Sequence, residues 1–187
     1  KDQIRAAVLA DGKLMEVLDD TARESRLAGS IFKGIVNNVV PGIQAAFIDI
    51  GTGKNAFLYA GDVSVPDRSQ DENGRAEVVP TIENYLSEGQ EVIVQVMRDP
   101  VGNKGARVTT NLTLPGRFVV LLPGNKEYVG ISRKIDDESR KKYLLDLANK
   151  IKPEEAGLII RTLAAEAEEK EFREDVQKLC ILQKHLE

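Results

Sequence analysis

From Ile31 to Leu114 apolar and polar residues alternate in short runs, "IFKGIVNNVV", "AAFIDIG", "AFLYAGD", "EVIVQVMRDP" and "ARVTTNLTL", with Pro or Gly at most of the joints. Runs of this length with a period of two predict strands, and several of them at this spacing predict a small barrel or sandwich. Ahead of them, "IRAAVLADGKLMEVLDD" sets two apolar runs around Asp11-Gly12, a dipeptide suited to a tight turn, and so predicts a two-stranded ribbon. A lone ribbon needs a sheet or helix to cover it. The segment from Val63 to Tyr85 is polar, contains Pro and lacks a period, which predicts a long exposed loop.

After Pro115 strands alternate with helices. "RFVVLLP", "YVGISRKI" and "GLIIRT" read as strands. Asp136 and Asp137 are placed to cap a helix whose Leu144, Leu147, Ala148 and Ile151 share one face, and Pro153 ends it. A second helix, from Ala164, carries Phe172, Val176, Leu179 and Cys180 at helical spacing. This part is a small α/β unit.

The hairpin "AAFIDIGTGKNAFLY" concentrates Phe47, Phe57 and Tyr59 in a chain with five Phe, four Tyr and no Trp. A turn centred on Gly53 sets Phe57 opposite Asp49 and Tyr59 opposite Phe47, so the three rings share a face, while Ala46, Ile48 and Ile50 supply the apolar face that a barrel core requires. On that register the rings face outward and form a stacking platform for unpaired bases. A one-residue change would turn them into core, the commoner place for aromatics.

The formal net charge of −4 argues weakly against a nucleic-acid partner, but its placement is uneven. Asp62 to Glu91 holds eight acids and two bases, whereas Arg98 to Lys134 holds two acids and seven bases. A basic face on an acidic protein is enough for phosphate affinity. Cys180 is the single cysteine, which rules out an intrachain disulfide and a cysteine-based zinc site within the chain. No apolar run reaches the length of a membrane span, so the expected compartment is the cytoplasm. Lys1 in place of methionine and the ending "LQKHLE" suggest part of a longer chain.

Candidate chemistry sits in two basic stretches. "GTGK" is not a phosphate loop, because Ile48 stands where the first Gly is needed and Asn55 where Ser or Thr is needed. In "RDPVGNKGARVTT", Gly102 and Gly105 permit close backbone approach while Arg98, Lys104 and Arg107 stay near one another; without a ligand it is a solvated hairpin tip. Among the carboxylates, Asp19-Asp20 lies on the ribbon, Asp136-Asp137 caps a helix, and Glu168, Glu169 and Glu171 lie on a solvated helix face. None has metal-ligand spacing. His185, near the end, is expected to be exposed, and no catalytic residue is identified.

"IFKGIVNNVVPGIQAAFIDIGTGKNAFL", "EGQEVIVQV", "NKGARVTTNLTLPGRFVVLLP", "VGISRKI" and "GLIIRT" resemble, in order, the N-terminal half of the ribonuclease E and G family. The resemblance implies an α+β multidomain chain: residues 1–28 the first hairpin of a ribonuclease H-like subdomain, 29–111 an S-one type OB-fold RNA-binding barrel, and 112–187 a 5′-sensor subdomain. It implies that Phe47 and Phe57 stack on bases and that Lys104 contacts the RNA backbone, with Arg98 and Arg107 beside it. It also implies that Arg161 and Thr162 grip a 5′-monophosphate, helped by the backbone at Gly116 and Val120 and by Arg133. Many relatives carry an aromatic near Ile50 and a second arginine where Lys134 stands.

The implied parent is a homo-oligomeric, magnesium-dependent endoribonuclease of single-stranded RNA, acting in rRNA processing and mRNA decay. The family's catalytic carboxylates and its zinc-linking cysteines have no counterpart in this chain, so no cofactor is expected here and the piece should bind RNA without cutting it. Two other readings stand beside this one: a non-enzymatic single-stranded RNA-binding protein with an OB fold, and a protein-binding adaptor using the acidic helix.

Overall fold

The computed structural model describes residues 5–10, 13–19, 26–64 and 81–186. The ribbon is β1 (Arg5–Ala10) and β2 (Lys13–Asp19), an antiparallel pair with Ala7 opposite Val17, forming a two-stranded sheet of its own. The Asp11-Gly12 turn, Asp20 and the middle of the expected loop lie outside the described residues.

The alternating runs become β3 (Ile31–Val40), β4 (Ala45–Asp49), β5 (Ala56–Tyr59), β6 (Glu91–Arg98) and β7 (Arg107–Thr109). They close in the order β3-β4-β5-β7-β6, with β6 returning to β3. Only β5 and β7 run parallel; the other neighbours are antiparallel. This is the five-stranded closed barrel of the OB fold. Because strand side chains alternate between faces, Val36, Ala46, Ile48, Ala56, Leu58, Val94, Val96 and Val108 all turn inward and are at most 2% exposed.

The stretch from Val63 to Tyr85 departs from the expected exposed loop at both ends. Val63 and Ile82 are buried in the barrel core, and Ile82 lies in a 3-10 turn, Ile82–Asn84, whose entry is fixed by Ile82 N–H donating to Gln44 Oε1 at 3.0 Å. Single apolar residues in a polar run leave no period to read, yet each plugs the barrel. Gln95, although polar, is also buried. Its Nε2 donates to Gly29 O and Thr113 O at 3.1 and 2.9 Å, and its Oε1 accepts from Thr113 N–H at 2.8 Å. One amide thereby ties the chain's entry to the barrel to its exit, and full pairing makes its burial tolerable.

The second unit holds β8 (Leu114–Pro115), β9 (Val119–Pro123), β10 (Val129–Ile131) and β11 (Ala156–Ile160) in the order β10-β11-β9-β8, with α1 (Glu138–Ile151) and α2 (Glu169–Lys184) packed against them. Asp137 alone caps α1: its carboxylate accepts from Ser139 Oγ at 2.6 Å and Arg140 N–H at 3.0 Å, bonds that hold it below the usual carboxylate range. The second helix starts at Glu169, five residues later than the apolar spacing suggests. Thr162–Ala165 instead winds as a 3-10 turn, and Glu168 and Glu171 close a capping box. Arg140 holds that turn in place, its guanidinium donating to the carbonyls of Ala164, Ala165 and Ala167. Phe172, Leu121, Leu144, Leu158 and Ile160 fill the core between sheet and helices.

Candidate nucleic-acid interface

The register of the aromatic hairpin differs from expectation by two residues. Phe47 pairs with Phe57, and Tyr59 with Ala45. The loop is centred on Thr52, not Gly53: Gly51 and Gly53 take φ of +75° and +81°, and Asp49 Oδ1 accepts the Gly51 N–H at 2.8 Å, so the strands end earlier. An even shift keeps every side chain on its face. The rings therefore stand outside the barrel, as the alternation predicts, half-buried, with centroids 5.9 Å apart in an edge-to-face arrangement. Ile50 points into the core at 6% exposure.

Cross-strand pairing extends this rung around the barrel. Asn38 lies opposite Phe47, Phe57 opposite Arg107, and Arg107 opposite Arg98. A bulge in β3 sets Asn37 aside, and its Nδ2 donates to Asn55 Oδ1 at 3.1 Å. The result is a strip of two half-buried rings on the outside of the barrel, with an amide at one end and guanidinium groups at the other. Arg107 is partly neutralised, since its Nε and Nη2 both donate to Asp62 Oδ2, at 3.0 and 2.7 Å. Arg98 is exposed and has no partner among the described residues.

The basic loop between β6 and β7 is folded onto the hairpin turn. Lys104 N–H donates to Val101 O at 3.0 Å, and Lys54 Nζ donates to Gly102 O at 2.8 Å, leaving the Lys104 side chain exposed. The close approach that Gly105 allows is to Asn55 of the chain itself: a Cβ at Gly105 would lie 1.8 Å from the Asn55 carbonyl oxygen. Lys54 is therefore a turn lysine that also joins two loops beside the aromatic strip.

If the rings are surface groups, Phe47→Ala and Phe57→Ala should each weaken binding of a single-stranded oligonucleotide by about 1 to 3 kcal/mol, the worth of a stacked base, with the barrel still folded. Titration and thermal melting of each variant check this; a large fall in Tm without a loss of affinity would assign the rings to packing.

The other candidate residues gather where β11 ends. Arg161 and Thr162 are exposed and line an open cleft of about 350 Å³ with Ser132, Ile159, Ile160 and Leu163. Arg161 is held at two points: its N–H donates to Phe118 O at 2.8 Å, and its Nη1 donates to Gly116 O. The Thr162 hydroxyl is 2.8 Å from that of Ser132, whose Oγ also accepts Lys134 N–H at 3.3 Å. Gly116 N–H donates to Val119 O at 2.8 Å, and Val120 sits in mid-sheet, opposite Pro115 on one side and Ile159 on the other. Arg133 is exposed beside Ser132. One guanidinium corner pinned to a carbonyl leaves the rest of a planar fork of donors facing the cleft, next to two hydroxyls.

Ser132 and Arg140 cannot be picked out from sequence alone, because each acts through a partner distant in the chain. The glutamates that the sequence singles out on the second helix are engaged. Glu169 pairs with Arg173 at 2.6 Å and accepts from Tyr143 Oη at 3.1 Å, contacts that hold its carboxyl below the usual range; Glu168 and Glu171 form the helix cap. Among the described residues no group of three or more His, Cys, Asp or Glu side chains is placed to hold a metal ion, and no helix is long and apolar enough to cross a membrane. His185 is exposed, its Nδ1 2.8 Å from Ile181 O.

Residues 113–187 match the model of the Ribonuclease E/G family. Ribonuclease G of Haemophilus influenzae is 40% identical over 179 residues, covering 95% of this chain, and that of Escherichia coli K12 is 38% identical over 178 residues. Ribonuclease E of Synechocystis is 39% identical over 180 residues. The chain spans 36% of the length of both ribonuclease G relatives and 24% of the ribonuclease E relative. Among solved structures, GSP13 from Bacillus subtilis overlaps 44% of this chain and 54% of its own at 19% identity, with a TM-score of 0.33. With sequence identity sustained from the ribbon through the barrel to the second helix, the chain belongs to the ribonuclease E/G family.

Proposed function

We propose that this chain is the RNA-recognition part of a ribonuclease E/G endoribonuclease, binding single-stranded RNA along the barrel and its 5′-monophosphate in the cleft at the end of β11. The observation that carries the reading is the Arg161 guanidinium, pinned by one corner and otherwise open to a cleft that also holds the Thr162 and Ser132 hydroxyls. A terminal phosphate presents anionic oxygens that a planar guanidinium can meet in pairs, whereas a 5′-hydroxyl presents a single neutral oxygen. Rings on the barrel stack on bases without reading them, which suits an enzyme that acts on many RNAs. Lys104, Arg98 and Arg107 supply phosphate attraction along the strand, and the exposed Arg133, next to Ser132, adds charge near the terminal group, while the backbone of Gly116 and Val120 is taken up by bonds and pairing within the sheet unit.

The parent protein would cut single-stranded RNA in rRNA processing and mRNA decay, as a cytoplasmic homo-oligomer using magnesium and a structural zinc. Magnesium in such an enzyme activates water and stabilises the displaced oxygen. The carboxylates among the described residues do not fit a magnesium site, since no three of them are grouped to hold an ion and several already have partners. Asp62 is engaged by Arg107, Asp99 by the Leu27 and Ala28 N–H groups, Asp137 by a helix N-terminus and Glu169 by Arg173. In this reading hydrolysis is the work of the rest of the parent, and recognition that of this part.

The test is a titration of the chain with one oligoribonucleotide carrying either a 5′-monophosphate or a 5′-hydroxyl, with magnesium present. Tighter binding of the monophosphate without cleavage is expected. Equal affinities would remove the sensor, and specific cleavage surviving purification would show that this part is more than a recognition unit.

A further inference from the structure

We propose that Asp175, on α2, is the positioning residue for Arg161, acting through the loop that joins β8 to β9. The proposal rests on the reading of Arg161 as the grip on a 5′-phosphate and extends it to the device that aims the grip.

Asp175 follows Phe172 by three positions and precedes Val176, both of which are buried against the sheet, so helical geometry brings Asp175 to the edge of the packed face, half-buried. There its carboxylate meets three consecutive amides. Oδ1 accepts from Arg117 N–H at 3.1 Å, and Oδ2 accepts from Phe118 N–H at 2.8 Å and Val119 N–H at 3.2 Å. Successive N–H groups converging on one point make a concavity suited to an anion. Here the anion is the chain's own.

Gly116 is what lets the carboxylate in. A Cβ at that position would lie 2.5 Å from Asp175 Oδ2 and 2.8 Å from both Cγ and Oδ1, closer than real Cβ contacts come. With the amides of the loop turned back toward α2, its carbonyls turn the other way. Those of Gly116 and Phe118 are the acceptors that hold the guanidinium and the backbone N–H of Arg161. Three donors fixed on the helix side therefore set two acceptors on the cleft side. No direct bond joins Asp175 to Arg161, so the guanidinium keeps its remaining donors for a ligand while its direction is dictated by the loop.

Removing the carboxylate leaves three amides without the acceptor that orients them, and the loop is no longer held to one position. The Gly116 carbonyl then moves and Arg161 is released. A docking role alone would loosen α2 and lower stability without selectively affecting phosphate recognition.

The experiment uses the full chain as Asp175→Ala, Asp175→Asn and Gly116→Ala, each titrated with 5′-monophosphate and 5′-hydroxyl forms of one oligoribonucleotide, with thermal melting alongside. Asp175→Ala and Gly116→Ala should cut the monophosphate preference about tenfold, the worth of one charge-assisted hydrogen bond, with affinity for the hydroxyl form unchanged. Asp175→Asn, which keeps an acceptor oxygen, should fall between them and the parent. Combined with Arg161→Ala, Asp175→Ala should cost no further preference. A lower Tm with the preference intact would overturn the proposal. Exchange of the Arg161 side-chain N–H groups, followed by NMR without RNA, separates this from the reading beneath it. Faster exchange in Asp175→Asn supports positioning even if Arg161→Ala shows that the arginine binds no phosphate; unchanged exchange defeats positioning whatever the RNA result.

Discussion

Arg161→Ala is expected to abolish the preference for a 5′-monophosphate while leaving the affinity for 5′-hydroxyl RNA nearly unchanged. The arginine stands at the end of β11 with one Nη bonded to Gly116 O and the rest of its fork open to the cleft, and Thr162 adds a hydroxyl. Both bonds need a terminal phosphate as target. Lys104→Ala should behave differently, weakening both RNAs alike and flattening the salt dependence by about one unit of slope, because a lysine on the strand path neutralises an internal phosphate. The preference should also fall as pH drops through about 6, where a phosphate monoester dianion takes up one proton and becomes a monoanion, since the guanidinium itself does not titrate there. Titration of both variants with both RNAs, at two salt concentrations and at two pH values either side of that point, checks all three statements. Equal weakening of the two RNAs by Arg161→Ala would make the arginine part of a general basic surface.

Local pattern was sufficient for the barrel strands and for the outward face of Phe47 and Phe57, because a period of two assigns faces without knowledge of pairing. It was insufficient for register. The loop between β4 and β5 is closed by the Asp49 side chain and two glycines at positive φ, and its length decides which residues meet. The error of two residues left the faces intact, whereas an error of one would have exchanged ring and core. Val63 and Ile82 were hidden for a related reason, each being a lone apolar residue that becomes core only once the barrel gives it a hole to fill.

The phosphate cleft divides in the same way. Arg161 and Thr162 are visible in "GLIIRT" as polar residues at the end of a buried strand, and the family resemblance singles them out. What surrounds them is tertiary. Ser132 reaches Thr162 because β10 runs parallel to β11, and Arg140 reaches the turn after Thr162 from another element. Asp175 is one acid among several on an amphipathic helix, and only the packing of α2 against β8 and β9 shows what it accepts.

Gly105→Ala is expected to cost about 3 kcal/mol of stability and to weaken binding of both RNAs, the upper end of what an added methyl exacts in a packed site. The new Cβ would lie 1.8 Å from Asn55 O and 2.8 Å from Asn55 C, backbone atoms that cannot rotate away. Either the loop after β6 or the hairpin turn must retreat. Retreat strains the seam of the barrel, because Ala106 O accepts the Phe57 N–H at 2.7 Å next to the parallel pairing of β5 with β7, which spans only Phe57 with Arg107 and Leu58 with Val108. It also displaces Lys104 and the Lys54 bond to Gly102 from the side of the aromatic strip. Gly42→Ala is the control, since an added Cβ there meets nothing within 4 Å and the backbone stays out of the left-handed region. It should match the parent in both measurements. Denaturant unfolding and RNA titration of the two variants decide the matter: a Gly105→Ala chain as stable as Gly42→Ala would mean that the two loops do not lock the barrel seam.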